Sequence, residues 1–239
     1  MKKIFFILII LFFYTPTTSA QDNLDSAELR RVCEQLDIKP RLVFYTSYGK
    51  LEYNKQYSKK SLTKLGKKMK IFEEGDLASG LALVDVASEY ELNTSIRKMI
   101  NNASCVIPQE LSVYIGFQNP IIYLANDLKV DTCLYNLVLR HEQIHQQINV
   151  NALEYFIPII YDRIKMIMKG MTPLYIPAEQ NVESATNDLT VHYAKQINTL
   201  VDEFKQEILI EQQKLDNRQN YQLESNICQQ FNKKNAKRK

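Results

Sequence analysis

Apolar positions along this chain change their period about halfway through. Between Arg41 and Ala125 they fall into short β-type runs, over 42–46, 50–53, 81–86, 112–117 and 121–124. Tyr48-Gly49 between the first two runs is a turn signal and predicts that they form a hairpin. From Thr132 onward the spacing becomes helical. Gly170 is the only glycine there, and no proline follows Pro177. Three helical stretches are predicted, over 132–150, 152–169 and 178 to about 231. Asp131 is the expected N-cap of the first, Asn149 and Asn151 its expected break, and Gly170, Pro173 and Pro177 a loop before the third. Leu189, Ile197, Leu200, Val201, Phe204, Ile208 and Leu215 give the last stretch one apolar face. The fold class is therefore α+β, with a mixed β region over 41–125 and a mostly helical half over 132–232.

The first twenty residues belong to a different category. Lys2 and Lys3 precede an unbroken apolar run over 4–13, and Pro16, Thr18, Ser19 and Ala20 form a cleavage signal before Gln21. Residues 1–20 are therefore read as a signal peptide, and 21–239 as a single domain of a secreted or periplasmic protein. The run is shorter than the roughly 20 residues of a membrane-spanning helix, so no span is expected in the mature chain.

Charge adds little. The formal net charge is +3, and two of the 30 basic residues leave with the leader, against 27 acidic ones. Basic clusters over 55–70 and 233–239 read as a solvated loop and a frayed end. No glycine-rich phosphate loop is present, and no nucleic-acid partner is expected. Oligomeric state has no signal. Cys33, Cys105, Cys133 and Cys228 all survive leader removal, none in CxxC spacing, and export allows them to pair. The expected pairing is Cys105 with Cys133 and Cys33 with Cys228.

The chemistry is concentrated in His141-Glu142-Gln143-Ile144-His145. Two His four apart on a helix project from one face and can share a metal ion. A zinc ion lowers the pKa of its water to about 7, and the intervening Glu can take that proton as the water attacks a carbonyl. Leu134, Leu137, Val138, Ile144 and Ile148 at helical spacing put the motif in mid-helix. Catalytic zinc usually has three protein ligands. The extended pattern HExxHxxGxxH is excluded, because Ile148 and Asn151 stand at its Gly and third His. His192 is the first choice for the third ligand, as the only other His in the chain. Glu183 is a second choice, with Asn187 and Asp188 nearby as supporting partners. Asp216 is a third, with Tyr221 and Glu224 spaced along the same helix. The run over 120–124, just ahead of the motif, is a candidate edge strand on which an extended peptide could add by β-augmentation.

Through His141, Glu142 and His145 the chain resembles zincin-type metallopeptidases. A leader, an HExxH helix and a long helical segment after it make it similar, more narrowly, to a bacterial family described as predicted secreted zinc-dependent proteases. The distal Asp-containing motif of that family corresponds to Leu215-Asp216 through Tyr221, with Tyr221 standing near the place of the family's His. The expectation is an exported zinc-dependent metallohydrolase, a peptidase acting on a peptide or protein substrate. Zn2+ would sit on His141, His145 and His192, with Glu142 as general base. The alternative is a non-catalytic binding or assembly protein of the envelope on the same scaffold.

Overall fold

A computed structural model describes residues 25–69, 71 and 77–236. The expected leader lies outside them. The chain runs α1 (Ser26–Glu34), β1 (Arg41–Tyr45), β2 (Glu52–Asn54), α2 (Lys59–Lys68), β3 (Gly80–Lys98), β4 (Ser104–Leu124), α3 (Cys133–Lys169), β5 (Leu174–Ile176), α4 (Val182–Leu215) and α5 (Arg218–Ala236). The architecture is α+β, a mixed sheet followed by a helical C-terminal half, as the change of period predicts.

β4 is the spine of the sheet. β3 pairs with it antiparallel along nearly its whole length. Its other edge is shared by β5 at residues 104–106, β1 at 110–114 and β2 at 121–123. β1 and β2 both run parallel to β4, so the expected hairpin between them does not form. Gly49 does turn, with φ +67°, but the turn steps the chain past Pro120 instead of reversing it. A Cβ at Gly49 would lie 2.6 Å from Pro120 Cδ, so the close approach and the positive φ both require glycine. The run over 120–124 is likewise not an edge: residues 121–123 pair with β2 on one side and β3 on the other. Among the described residues β1, β2, β3 and β5 each pair only with β4, so the unpaired edges are theirs, and the longest is that of β3.

β3 and β4 are far longer than their apolar runs, at 19 and 21 residues. The outer half of β3 carries Ser88, Glu89, Glu91, Asn93, Arg97 and Lys98, too polar for a hydrophobic pattern to register. Cross-strand pairing extends the hairpin beyond it.

α3 and α4 close the core against this sheet. Leu111, Val113, Ile115 and Phe117 of β4 meet Leu153, Ile160 and Ile164 of α3 and Ile197, Val201 and Phe204 of α4. The two helices lie side by side, with Phe156 against Phe204 and Arg163 paired with Glu203. α3 runs unbroken for 37 residues, through Asn149, Asn151 and Pro158. Its N-cap is Thr132, whose side chain accepts the Tyr135 N–H; Asp131 instead adopts φ +63°. Asn in a helix interior costs only about 0.7 kcal/mol relative to Ala. A stripe buried on both sides of Asn149 outweighs that, so the expected break does not occur. The last helix, in contrast, is two. α4 ends before Asp216, and Asn217 Oδ1 accepts the Asn220 N–H to begin α5.

The disulfides join Cys33 to Cys105 and Cys133 to Cys228, which corrects both expected pairings. Cys105 and Cys133 lie close in sequence, but nearly all of β4 intervenes, on the order of 60 Å of extended chain. Cys105 instead meets α1 beside β5. Cys133, the first residue of α3, is fastened to α5. Two disulfides fit a protein that matures in an oxidising compartment. Among the described residues no helix is long and apolar enough to cross a membrane.

Replacing Cys133 and Cys228 together by Ser should lower unfolding stability by roughly 2–4 kcal/mol in urea titrations. Hydrogen exchange should accelerate across α5 while the β3–β4 hairpin stays protected. Equal acceleration in both would show that the bond does not act locally on α5.

Candidate metal centre

The antiparallel course of α3 and α4 returns the end of α4 to the motif. His141 and His145 project from one face of α3, their Nε2 atoms 3.1 Å apart. Asp216 Oδ1, at the break between α4 and α5, lies 3.1 Å from each. Glu142 is buried beside them, at 6 % exposure. Tyr221, one turn into α5, stacks its ring on His141 with centroids 5.3 Å apart and donates its hydroxyl to Asp216 Oδ1 at 2.6 Å.

Hydrogen bonding on the far sides of the two imidazoles decides what they present to this centre. His141 Nδ1 is 3.0 Å from Glu224 Oε1, and a carboxylate oxygen can only accept. His145 Nδ1 meets Gln212 Oε1, also an acceptor. The Gln212 amide orientation is not free, because its Nε2 donates to His145 O at 3.0 Å and to Asn149 Oδ1 at 2.7 Å. Both neutral imidazoles therefore carry their proton on Nδ1 and aim a bare Nε2 lone pair inward. Two lone pairs and a carboxylate oxygen then face one another at 3.1 Å. Such an arrangement repels itself unless a positive charge lies between its members.

A metal ion meets that demand. Tetrahedral zinc with bonds of about 2.0–2.1 Å holds its ligand atoms about 3.3 Å apart, close to the spacing found here. The donor set, two imidazoles and one carboxylate, is of the kind that catalytic zinc sites use with one position left open. His141, His145 and Asp216 are the group of residues that could hold a metal ion among those described.

The same demand appears in the acid–base properties of the metal-free protein. Burial pulls the His141 pKa down, but Asp216, Glu224 and Glu142 outweigh it and raise it to about 9. His145 is raised for similar reasons, again against burial. Burial pushes Asp216 up, and the two imidazoles overcome this to hold it well below the usual carboxylate range. Burial raises Glu142 to about 7, opposed by the His pair and by a hydrogen bond from the Ala82 backbone. Tyr221 is raised by burial and by Asp216, so its hydroxyl remains a donor.

The start of β3 supplies the other wall. A Cβ at Gly80 would stand 2.5 Å from Glu142 Oε1 and 2.7 Å from its Cγ, so glycine is what lets the carboxylate lie against the strand.

His192 is placed elsewhere. It is exposed on α4, its Nε2 accepting from Gln196 Nε2 at 3.1 Å. Twenty-four residues of mostly helical path separate it from Asp216, roughly 35 Å at 1.5 Å per residue. Glu183, exposed in the first turn of α4, is farther still. The continuity of α3 and its antiparallel packing with α4 decide this, because they set the end of α4 and not its start against the motif. Asp216, Tyr221 and Glu224 do converge on the motif, though across a helix break and not along one face. Gly80, Gln212, Asn149 and Gln146 had no sequence signal as site residues. The Asp216-Asn217 pair did carry one, a capping residue three positions ahead of Asn220.

No family model matches this chain, and no curated protein or solved structure is found to match it.

Two outcomes follow. Because His141 is protonated up to about pH 9, divalent metal binding at pH 7 should release at least part of a proton. Affinity should weaken as pH falls. Titration calorimetry in buffers of different ionisation enthalpy reads the release directly, and a buffer-independent enthalpy would contradict it. Gly80→Ala should destabilise the fold by about 1–3 kcal/mol through overpacking against Glu142, measured as a lower midpoint in denaturant.

Proposed function

We propose that this protein is a zinc-dependent hydrolase of the peptidase type, with His141, His145 and Asp216 as ligands and Glu142 as general base. The observation that carries this reading is the convergence of three electron-pair donors at 3.1 Å beside a buried carboxylate. A binding module needs the ligands but has no use for a fourth, uncoordinated acid held at the same point. Two imidazoles with one carboxylate suit zinc and other divalent metals of the first transition row alike; the acid between the two His, at the spacing of zinc hydrolases, is what favours zinc. The resemblance to zincins through His141, Glu142 and His145 supports the same conclusion.

Zinc, when bound, would polarise a substrate carbonyl and lower the pKa of water. The residues divide the rest of the task. Glu142 is a buried carboxylate beside the ligand atoms, placed where a general base on water would stand. It would take a proton from the attacking water and return it to the leaving amine nitrogen. The bare face of Gly80 leaves room for that carboxylate against the start of β3. Tyr221 covers His141 and keeps Asp216 hydrogen-bonded, so the third ligand does not swing to solvent. Glu224 fixes the Nδ1 proton of His141 and raises the electron density at its Nε2. An exported compartment is consistent with the two disulfides and with the leader-like sequence over 1–20.

Purified protein should contain about one zinc per chain. His141→Ala, His145→Ala and Asp216→Ala should each lose it, while His192→Ala keeps it. Glu142→Gln should retain the metal and lose at least about 100-fold in hydrolysis of a casein or peptide-library substrate. A metal-loaded wild type without hydrolytic activity toward peptides, esters and amides would leave the non-catalytic alternative standing. Full activity in Glu142→Gln would remove Glu142 as the base.

A further inference from the structure

Beside the metal ligands, a core that is otherwise apolar contains three amides in a row. Gln146 and Asn149 are buried at 8 % and 3 % exposure, and Gln212 reaches them from α4. Such a row is costly to bury unless every group is satisfied, and here each is.

The direction of the row follows from its far end. Gln146 Nε2 lies 3.0 Å from Leu83 O and 3.5 Å from Ile121 O, backbone carbonyls of β3 and β4 that can only accept. Gln146 Oε1 is then the acceptor for Asn149 Nδ2 at 3.3 Å. Asn149 Oδ1 in turn accepts from Gln212 Nε2 at 2.7 Å. That leaves Gln212 Oε1 facing His145 Nδ1, which must therefore bear the proton. Rotating any one amide by about 180° would set oxygen against oxygen or N–H against N–H at its neighbours. Polarity thus passes in one sense from the sheet to the imidazole.

His145 has a competing state that this row opposes. With its proton on Nε2 it could donate to Asp216 Oδ1, 3.1 Å away, and satisfy itself without any metal. That state would block the ligand atom. We propose that Gln146, Asn149 and Gln212 are positioning residues, a one-way hydrogen-bond relay anchored on the sheet that holds His145 Nε2 free and aimed at the metal. The inference rests on the metal-centre reading and adds how the ligand state is imposed. It also assigns a purpose to Asn149, which sits mid-helix in α3 where an apolar residue would pack as well.

The test uses the full chain, with zinc alone as the probe in chelator competition, and with cadmium-113 replacing zinc for NMR of nitrogen-15-labelled histidine. The chain has only three His, so the signals are assignable by substitution. In the wild type, His145 should couple to cadmium through Nε2 and show an exchange-protected proton on Nδ1. Gln212→Met and Asn149→Leu, which keep volume but end the relay, should weaken zinc binding about 10–100-fold and lose that protection. Gln212→Glu retains an acceptor for Nδ1 but sets its second oxygen against Asn149 Oδ1 and His145 O, so it should keep the Nδ1 proton protected and lose less zinc affinity than Gln212→Met. Unchanged affinity in a folded Gln212→Met would overturn the relay. So would a loss in Gln212→Glu as large as in Gln212→Met, which also covers the case in which the apolar variant fails to fold. A wild type that binds neither zinc nor cadmium would overturn the metal centre itself, a different result from metal binding that ignores Gln212.

Discussion

Three lone-pair donors directed at one point, two of them on buried imidazoles and the third on a carboxylate that keeps some contact with solvent, cannot be held together by their own interactions. The repulsion among His141 Nε2, His145 Nε2 and Asp216 Oδ1 has to be offset by positive charge, from protons in the metal-free state or from a metal ion. Much of the surrounding structure serves to hold this unfavourable geometry. The His pair is fixed by the helical repeat, Asp216 by the helix break, and the proton on each Nδ1 by an acceptor behind it. The energy for this comes from elsewhere, from the apolar core between β4, α3 and α4, where each large side chain removed from water contributes about 1.5–3 kcal/mol.

That core also sets the register. Packing of Phe204 between Phe117 and Phe156 fixes how far α4 runs back along α3. One turn of slip would move Asp216 by about 5.4 Å, beyond coordination distance. Rigid helices carry the site for this reason: a long, continuous α3 transmits the register set in the core to His141 and His145 at its other end. α5 is tied differently. Its tether is the Cys133–Cys228 bond, which joins the start of the motif helix to the element bearing Tyr221 and Glu224. That bond therefore anchors the outer side of the site to the start of α3.

How much of this was readable beforehand varied with the range of the interaction. The motif helix and its two His follow from local spacing, since an i, i+4 relation is a property of any α-helix. The α+β order follows from the change of period. The outer half of β3 was not readable, because a strand stabilised by pairing with β4 has no need of apolar alternation. The break at Asp216-Asn217 had a capping signal, but it lay in a polar run that gave no reason to prefer it over continuation. His192 was attractive for its chemistry alone, and roughly 35 Å of helix removes it.

Sequence alone determined the composition of the motif helix, the class of fold and the presence of a His pair at metal-ligating spacing, all of which depend on residues within a few positions of one another. Tertiary structure decided the third donor, the disulfide partners, the order of the strands about β4 and the amides behind His145. Each of these depends on which distant segments are brought together. That is set by the summed packing of α3 and α4 on β4, a quantity spread over many side chains and visible at none of them singly.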